Sequence, residues 1–256
     1  MIDAKYFAGF VDADGSIGLH IQKRNDDRYG LYPKVQIGQL TYRDFNLKEI
    51  ASKYEVSLTY KPDAEMSLVN LCGTKAQRFI EMIKEHLVIK DELAEYVLSL
   101  PKEVSGEELK AIKKVVKSLR KKHYPTKNHP SRKWLAGYID GDGCIYGLVK
   151  KTGVLCCKLV VASSADAQAG LRLIQKALGG NIGVKGNSSH YELHLGVSKV
   201  QELYHFCGKH LRIKKTQMQI TYDYIGQNKH SKSHGATYDT NKKFCETLAT
   251  TKRIGR

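Results

Sequence analysis

The chain has 256 residues, 41% of them hydrophobic, which is material for one large domain or two of about 120 each. No stretch approaches the ~20 apolar residues that span a bilayer. The opening MIDAKYFAGF has neither a basic region with an apolar run nor an Arg/Ser-rich presequence, so no membrane partner and an intracellular location without a targeting signal are the expectations. Lys and Arg total 42 against 26 Asp and Glu, and a net charge of +16 favours capture of a polyanion over a merely soluble or structural basic protein.

The first predicted element is a helix from Ala4 to about Ala13, apolar nearly all round and therefore buried. After Gly15 the period drops to two, with Ile17, Leu19 and Ile21 on one face and Ser16, Gly18, His20, Gln22 and Arg24 on the other. A turn through Asn25-Asp26-Asp27 leads to a second alternating strand, Lys34 to Gln39. A helix over 43–54 follows, with Phe45, Leu47, Ile50, Ala51 and Tyr54 at apolar spacing. Strands near 56–61 and 67–72 come next, then a helix with Thr74 as N-cap (Ser198 in the later part) running to about Glu85, and a last helix over about 90–99. Residues 101–133 read as a linker: a capping-box start at Ser105-Gly-Glu-Glu108, a basic helix from Lys110 to about His123, and a proline-bounded connector over 124–130. The linker helix reads equally as a solvated spacer or a phosphate contact.

The chain then repeats itself. YFAGFVDADGSI at 6–17 aligns with WLAGYIDGDGCI at 134–145, and six of the ten positions from Ala8 to Ile17 are identical. Farther on, the halves align with a shift of 124 instead of 128: Leu47 with Leu171, Ile50 with Ile174, Leu71 with Leu195, Lys75 with Lys199, His86 with His210 and Lys90 with Lys214. The second copy is therefore four residues shorter near a hairpin tip, where deletion is tolerated. One α-β-β-α-β-β-α unit has been duplicated and fused. The expected organisation is a first half over 1–100, the linker over 101–133, a second half over 134–226 and a polar tail over 227–256 that ends in a short helix, Asn241 to Lys252.

Small residues four apart, Gly9 and Ala13 in one motif and Gly137 and Gly141 in the other, form a groove along each helix. Two such helices can pack side by side and bring Asp14 and Asp142 together at their ends. Paired carboxylates repel unless a cation lies between them. Oxygen ligands of this kind suit Mg²⁺, which takes few carboxylates and completes its shell with water and phosphate oxygens. That is the chemistry of metal-assisted phosphodiester hydrolysis. Asp12 and Asp140 are read as hydrogen-bonding at the helix interface. The six cysteines (72, 144, 156, 157, 207, 245) form no Cys-x-x-Cys pair and no zinc spacing, so they read as reduced packing or surface residues.

The pair FAGFVDADG and LAGYIDGDG resembles the signature of the LAGLIDADG homing endonucleases in their single-chain, two-motif form, over roughly residues 1–226. The resemblance implies an α+β fold in which two pseudo-symmetric αββαββα units build a saddle of antiparallel sheets around the paired motif helices. It implies a monomer that binds a long pseudo-palindromic duplex in the major groove and cuts both strands across the minor groove, leaving short 3′ overhangs. The divalent metal, Mg²⁺ with Mn²⁺ or Ca²⁺ as substitutes for binding, would be held by Asp14 and Asp142 with the carbonyls of Ala13 and Gly141. Gln39 would organise solvent near the metal, and Lys90 and Lys214 would stabilise charge near the scissile phosphate. The shift of 124 puts Ser163 where Gln39 would be, so the two half-sites are expected to cut at unequal rates.

Base and backbone contacts would come from outward strand positions: His20, Gln22, Arg24, Lys34, Gln36, Lys61 and Asn70 in the first half, and Tyr146, Lys150, Lys158, Lys185, Glu192 and His194 in the second. The rival reading is an RNA maturase acting on a host intron, or a regulator that binds DNA without cutting. Both acids are intact, which favours the enzyme, in an intron-encoded form expressed in an organelle or a prokaryotic cytoplasm.

Overall fold

The structure, a computed structural model, describes residues 2–25, 27–121, 130–149, 151, 155–164, 168–184, 190–227 and 238–251. The first unit runs α1 (Ala4–Asp14), β1 (Gly15–Lys23), β2 (Arg28–Leu40), α2 (Phe45–Tyr54), β3 (Leu58–Lys61), β4 (Met66–Cys72), α3 (Thr74–Ile83) and α4 (Asp91–Ser99). After β5 (Glu103–Ser105) and α5 (Gly106–Lys121), the order recurs as α6 (Arg132–Asp142), β6 (Gly143–Val149), β7 (Leu155–Ser164), α7 (Gln168–Leu178), β8 (Asn181–Val184), β9 (His190–Leu195), α8 (Val197–Cys207) and α9 (Lys215–Gln227), with α10 (Tyr238–Thr251) closing the chain. The sheets are antiparallel and equivalent, in the orders β1-β2-β4-β3 and β6-β7-β9-β8, with β5 added to the start of β2. Among the described residues no helix is long and apolar enough to cross a membrane.

The motif helices are the centre of the core. Each opens on a side-chain cap: the Asp3 carboxylate accepts from the Tyr6 amide (3.3 Å) and the Ser131 hydroxyl from the Trp134 amide (3.1 Å). Tyr6, Phe7, Phe10, Trp134 and Tyr138 are all buried, and Trp134 stacks on Tyr138 at 4.9 Å between centroids. A glycine follows each final aspartate and turns the chain directly into the first strand of its sheet.

Several local expectations are corrected. The second strand starts at Arg28, because its early residues pair with both β1 and β5. Phe45 is 44% exposed at the first turn of α2, so the apolar stripe of that helix begins at Leu47. Thr74 and Ser198 lie inside their helices; the N-caps are Gly73 and Gly196, without a side-chain cap bond. Gly73 has φ 59°, a left-handed turn that glycine adopts without strain. The capping box forms as expected, with Glu108 accepting from the Ser105 amide (2.7 Å) and the Glu108 amide donating to the Ser105 hydroxyl (3.3 Å). Its helix, however, is no plain spacer: Leu109, Ile112 and Val116 are buried in the core. The tail helix is longer than its polar sequence suggests, and it docks through buried Phe244 and Leu248, with Phe244 stacked on Tyr224 at 4.0 Å. Most of the connector over 124–130 lies outside the described residues.

Candidate active site and nucleic-acid interface

The two motif helices meet backbone to backbone. A Cβ at Gly9 would stand 1.9 Å from the Trp134 carbonyl oxygen, and one at Gly137 2.0 Å from that of Tyr6. At either position a side chain would force the helices apart, because the atom that would be struck is main chain. Near the C-terminal ends the contact persists: a Cβ on Gly141 would lie 2.5 Å from the Ala13 Cβ and 3.4 Å from an oxygen of the Asp14 carboxylate. Asp14 and Asp142, the last residues of α1 and α6, are thereby brought together at the interface.

Their electrostatics follow from that placement. Asp142 is pushed up to about 7, first by burial and then by the charge of Asp14, against the pull of Lys90 and Lys214. Asp14 is also raised by burial, with Lys214, Lys90 and a hydrogen bond from Gln39 opposing the rise. Both carboxylates stand at the negative ends of helix dipoles, which adds to the attraction for a cation. Among the described residues there is no group of three or more His, Cys, Asp and Glu side chains able to hold a metal. Two carboxylates with neighbouring carbonyls make an oxygen-only, incomplete donor set, which fits a hard divalent ion sharing its shell with water and a phosphate ester.

Around the acids, the halves are built alike. The Lys90 ammonium donates to the carbonyls of Val11 (2.7 Å), Asp12 (2.8 Å) and Gly15 (2.8 Å), and that of Lys214 donates to the carbonyls of Asp140 and Gly141. Each lysine thus ties off the end of its own motif helix beside the acids, and burial lowers the pKa of both. Asp12 and Asp140 do hydrogen-bond at the interface, and they also hold the loops that carry these lysines.

One difference stands out. The Gln39 amide donates to Asp14. The register pairs Gly15 with Ile37 and Gly143 with Val161, so Ser163 occupies the backbone place equivalent to Gln39; its side chain lies outside the described set. Among the described residues no side chain hydrogen-bonds the Asp142 carboxylate.

Register also sorts the strand candidates. Ser16, Gln36 and Asn70 form one cross-strand row and Gly18, Lys34 and Cys72 the next, with His20 opposite Tyr32 and Gln22 opposite Gly30. Lys61, opposite Met66, falls on the same face. All the first-half candidates on strands therefore share the face turned away from the core, and Arg24, just past β1, donates to the Tyr32 hydroxyl. In the second sheet Tyr146 pairs with Lys158, and Glu192 and His194 face the same way from β9. His194 and Glu192 contact each other (3.3 Å). Lys150 and Lys185 lie outside the described residues.

The sequence reading missed four residues that the structure brings into this region. Arg120 of α5 reaches β1, donating to the Ile17 carbonyl (3.3 Å) and filling the space over Gly18, where a Cβ would meet it at 2.4 Å. Arg43 is close enough for its charge to lower the pKa of Lys214. Tyr6 and Trp134 donate to Asp140 (2.7 Å) and Asp12 (2.8 Å) across the interface. The available signal was that the repeat keeps a hydrogen-bonding aromatic at the same place in both motifs, Tyr6 and Trp134 at the shift of 128.

No family model and no curated protein matches the chain. Solved structures do. The chain is 16% identical to the LAGLIDADG homing endonuclease I-GzeII in complex with its DNA target, with a TM-score of 0.68 over 99% of this chain and 98% of that one. It is 14% identical to I-LtrWI bound to target DNA, with a TM-score of 0.67 over 98% and 96% of the two chains. I-SmaMI, bound to an uncleaved DNA target in the presence of calcium ions, gives 14% identity and a TM-score of 0.63 over 99% and 98%. From end to end, and with its two motif helices paired at the centre, this chain has the fold of the LAGLIDADG homing endonucleases.

Proposed function

We propose that the protein is a site-specific DNA endonuclease that cuts both strands of a long, imperfectly symmetric duplex with the help of divalent cations. The observation that carries this reading is the meeting of Asp14 and Asp142 between two sheets whose outward faces are lined by basic and hydrogen-bonding side chains. The fold neighbours I-GzeII and I-LtrWI are DNA-bound homing endonucleases, which supports the same substrate class here.

In this reading the outward rows of β1, β2 and β4, and of β6, β7 and β9, lie in the major groove, where Gln, Asn, Arg and Lys match base-edge donors and acceptors. Because the halves differ at these positions, the target is only a pseudo-palindrome. The net charge of +16 draws the phosphate backbone in. Asp14 and Asp142, with the carbonyls of Ala13 and Gly141, hold the cation, magnesium being the natural choice. The bound cation supplies activation of water and stabilisation of the leaving oxygen. Gln39 fixes the orientation of the Asp14 carboxylate. Lys90 and Lys214 keep the acids' surroundings cationic and stiffen the helix ends that present them. With two such sites facing across the minor groove, the expected product has short 3′ overhangs.

The direct test is a cleavage selection: purified protein, a randomised duplex library and Mg²⁺, with an Asp14→Asn/Asp142→Asn variant in parallel. Recovery of one long cut site with the wild type alone is the expected result. Tight binding with no cutting at any divalent ion tried would replace the reading with a maturase or a non-cleaving regulator on the same fold.

A further inference from the structure

Two buried hydrogen-bond relays cross the interface between the halves, and they match atom for atom. In the first, one Asp12 oxygen accepts from the Val88 amide (2.8 Å), the Ile89 amide (3.2 Å) and the Trp134 indole (2.8 Å), and the other accepts from the Lys90 amide (2.9 Å). In the second, one Asp140 oxygen accepts from the Arg212 amide (2.7 Å), the Ile213 amide (3.1 Å) and the Tyr6 hydroxyl (2.7 Å), and the other accepts from the Lys214 amide (2.9 Å). The three amides always belong to the aspartate's own half, and the aromatic donor always comes from the opposite half. Asp12, Asp140, Tyr6 and Trp134 are each 5% exposed or less.

We propose that Tyr6 and Trp134 are positioning residues acting in trans: each sets, through the aspartate it touches, the loop bearing the lysine of the other half's acidic site. A buried carboxylate short of one donor carries a desolvation cost that water cannot relieve. The three loop amides share that carboxylate, so losing the aromatic donor loosens the grip on the loop. The lysine at the end of the loop is the group that closes on the helix terminus beside Asp14 and Asp142. Phenylalanine would fill the same space, and α1 uses it at Phe7 and Phe10; at position 6, where the side chain faces Asp140, it carries a tyrosine hydroxyl instead. The second relay has an extra tie. The Tyr6 hydroxyl accepts from Asn46 (2.9 Å), while the Arg212 guanidinium lies over the Tyr6 ring (4.7 Å) and bonds Glu49 (2.6 Å). Neither lysine loop is then fully formed until both halves are docked, which couples the two cutting events that the proposed function requires.

The test is amide hydrogen exchange on the whole chain, followed by strand-resolved nicking; the catalytic part of the inference rests on the endonuclease reading, whereas the exchange part does not. Tyr6→Phe should speed exchange over 212–214 on the order of tenfold and leave 88–90 unchanged, and Trp134→Phe should do the reverse. Uniform acceleration throughout, or no change in the loop of the opposite half, would overturn the proposal. Tyr6→Phe removes a single oxygen and carries the test alone if Trp134→Phe does not fold. On a cut target, Tyr6→Phe should slow the same strand as Lys214→Met, and Trp134→Phe the same strand as Lys90→Met, again about tenfold. Equal slowing of both strands would show that the relays do not serve separate sites. If the wild type cuts nothing, the endonuclease reading falls, and the exchange pattern still decides whether the relays act in trans.

Discussion

The two halves agree where a side chain satisfies main-chain groups or a buried carboxylate and diverge along the outward faces of the sheets. Asp12 and Asp140, Tyr6 and Trp134, and Lys90 and Lys214 do equivalent work, because each satisfies main-chain groups or a buried carboxylate that both units possess. Beside the acids the match ends: Gln39 donates to Asp14, and a serine takes the equivalent backbone place in the second unit. The outward rows diverge further, Gln36 and Asn70 in one sheet against Val160 and His194 at the equivalent places in the other. Duplication therefore preserves what folding requires of both units and leaves the outward faces free to differ.

The largest expected effect tests the most symmetric feature. Either Asp14→Asn or Asp142→Asn should lower double-strand cutting by more than about a thousandfold, equivalent to about 4 kcal/mol of barrier, with duplex binding kept within about tenfold. Full double-strand cutting by both singles would remove the acids from the chemistry. Next comes the helix contact. Gly9→Ala and Gly137→Ala should each destabilise by roughly 3 kcal/mol in denaturant unfolding, since a methyl group would meet a carbonyl on the opposite helix. A large difference between the two would show that the interface is less symmetric than its geometry. The asymmetric feature should give a smaller, strand-specific signal. Gln39→Ser, which copies the second half, should slow one strand about tenfold and narrow the gap between the two nicking rates. Wild-type rates already equal on both strands would contradict the premise.

The smallest effect is on pH-dependent stability. The folded state raises Asp142 from its ordinary 3.8 to about 7, so it favours the protonated acid. That contribution is fully present below about pH 4 and is lost as pH rises through about 7. Without divalent ions the Tm should therefore fall, on the order of 5 °C between about pH 5 and pH 8, and Asp142→Asn should flatten most of the fall. A profile unchanged by that substitution would mean that the carboxylate is not strained by its surroundings.

Much of this was legible in the chain. The repeated AGFVDADG and AGYIDGDG blocks specify two small-residue helices ending in acids, and period-two alternation after Gly15 places His20 and Gln22 on the face opposite Ile17 and Ile21. The linker and tail were not legible in the same way. Among the described residues, three buried apolar side chains on α5 and two on α10 mark them as parts of the core, against a background of lysine and threonine. In the structure each follows its unit and packs back onto it: Arg120 lies over Gly18 of β1, and Phe244 and Cys245 lie against Gly147 of β6. They correspond in position although no sequence likeness between them survives. Such apolar stripes are short, and nothing local says what they cover.

By itself the sequence determined the duplication, the α-β-β-α-β-β-α order, the acids and the charge, because these rest on periodicity and residue chemistry repeated at fixed spacing. Tertiary structure alone decided that Trp134 serves Asp12, that Tyr6 serves Asp140, and that Arg120 and Arg43 join the site. The hydrogen bonds among those pairings span from 103 residues, from Ile17 to Arg120, to 134, from Tyr6 to Asp140. A hydrogen bond over such a separation leaves no periodic trace along the chain. It exists only after two helices have approached until their backbones touch.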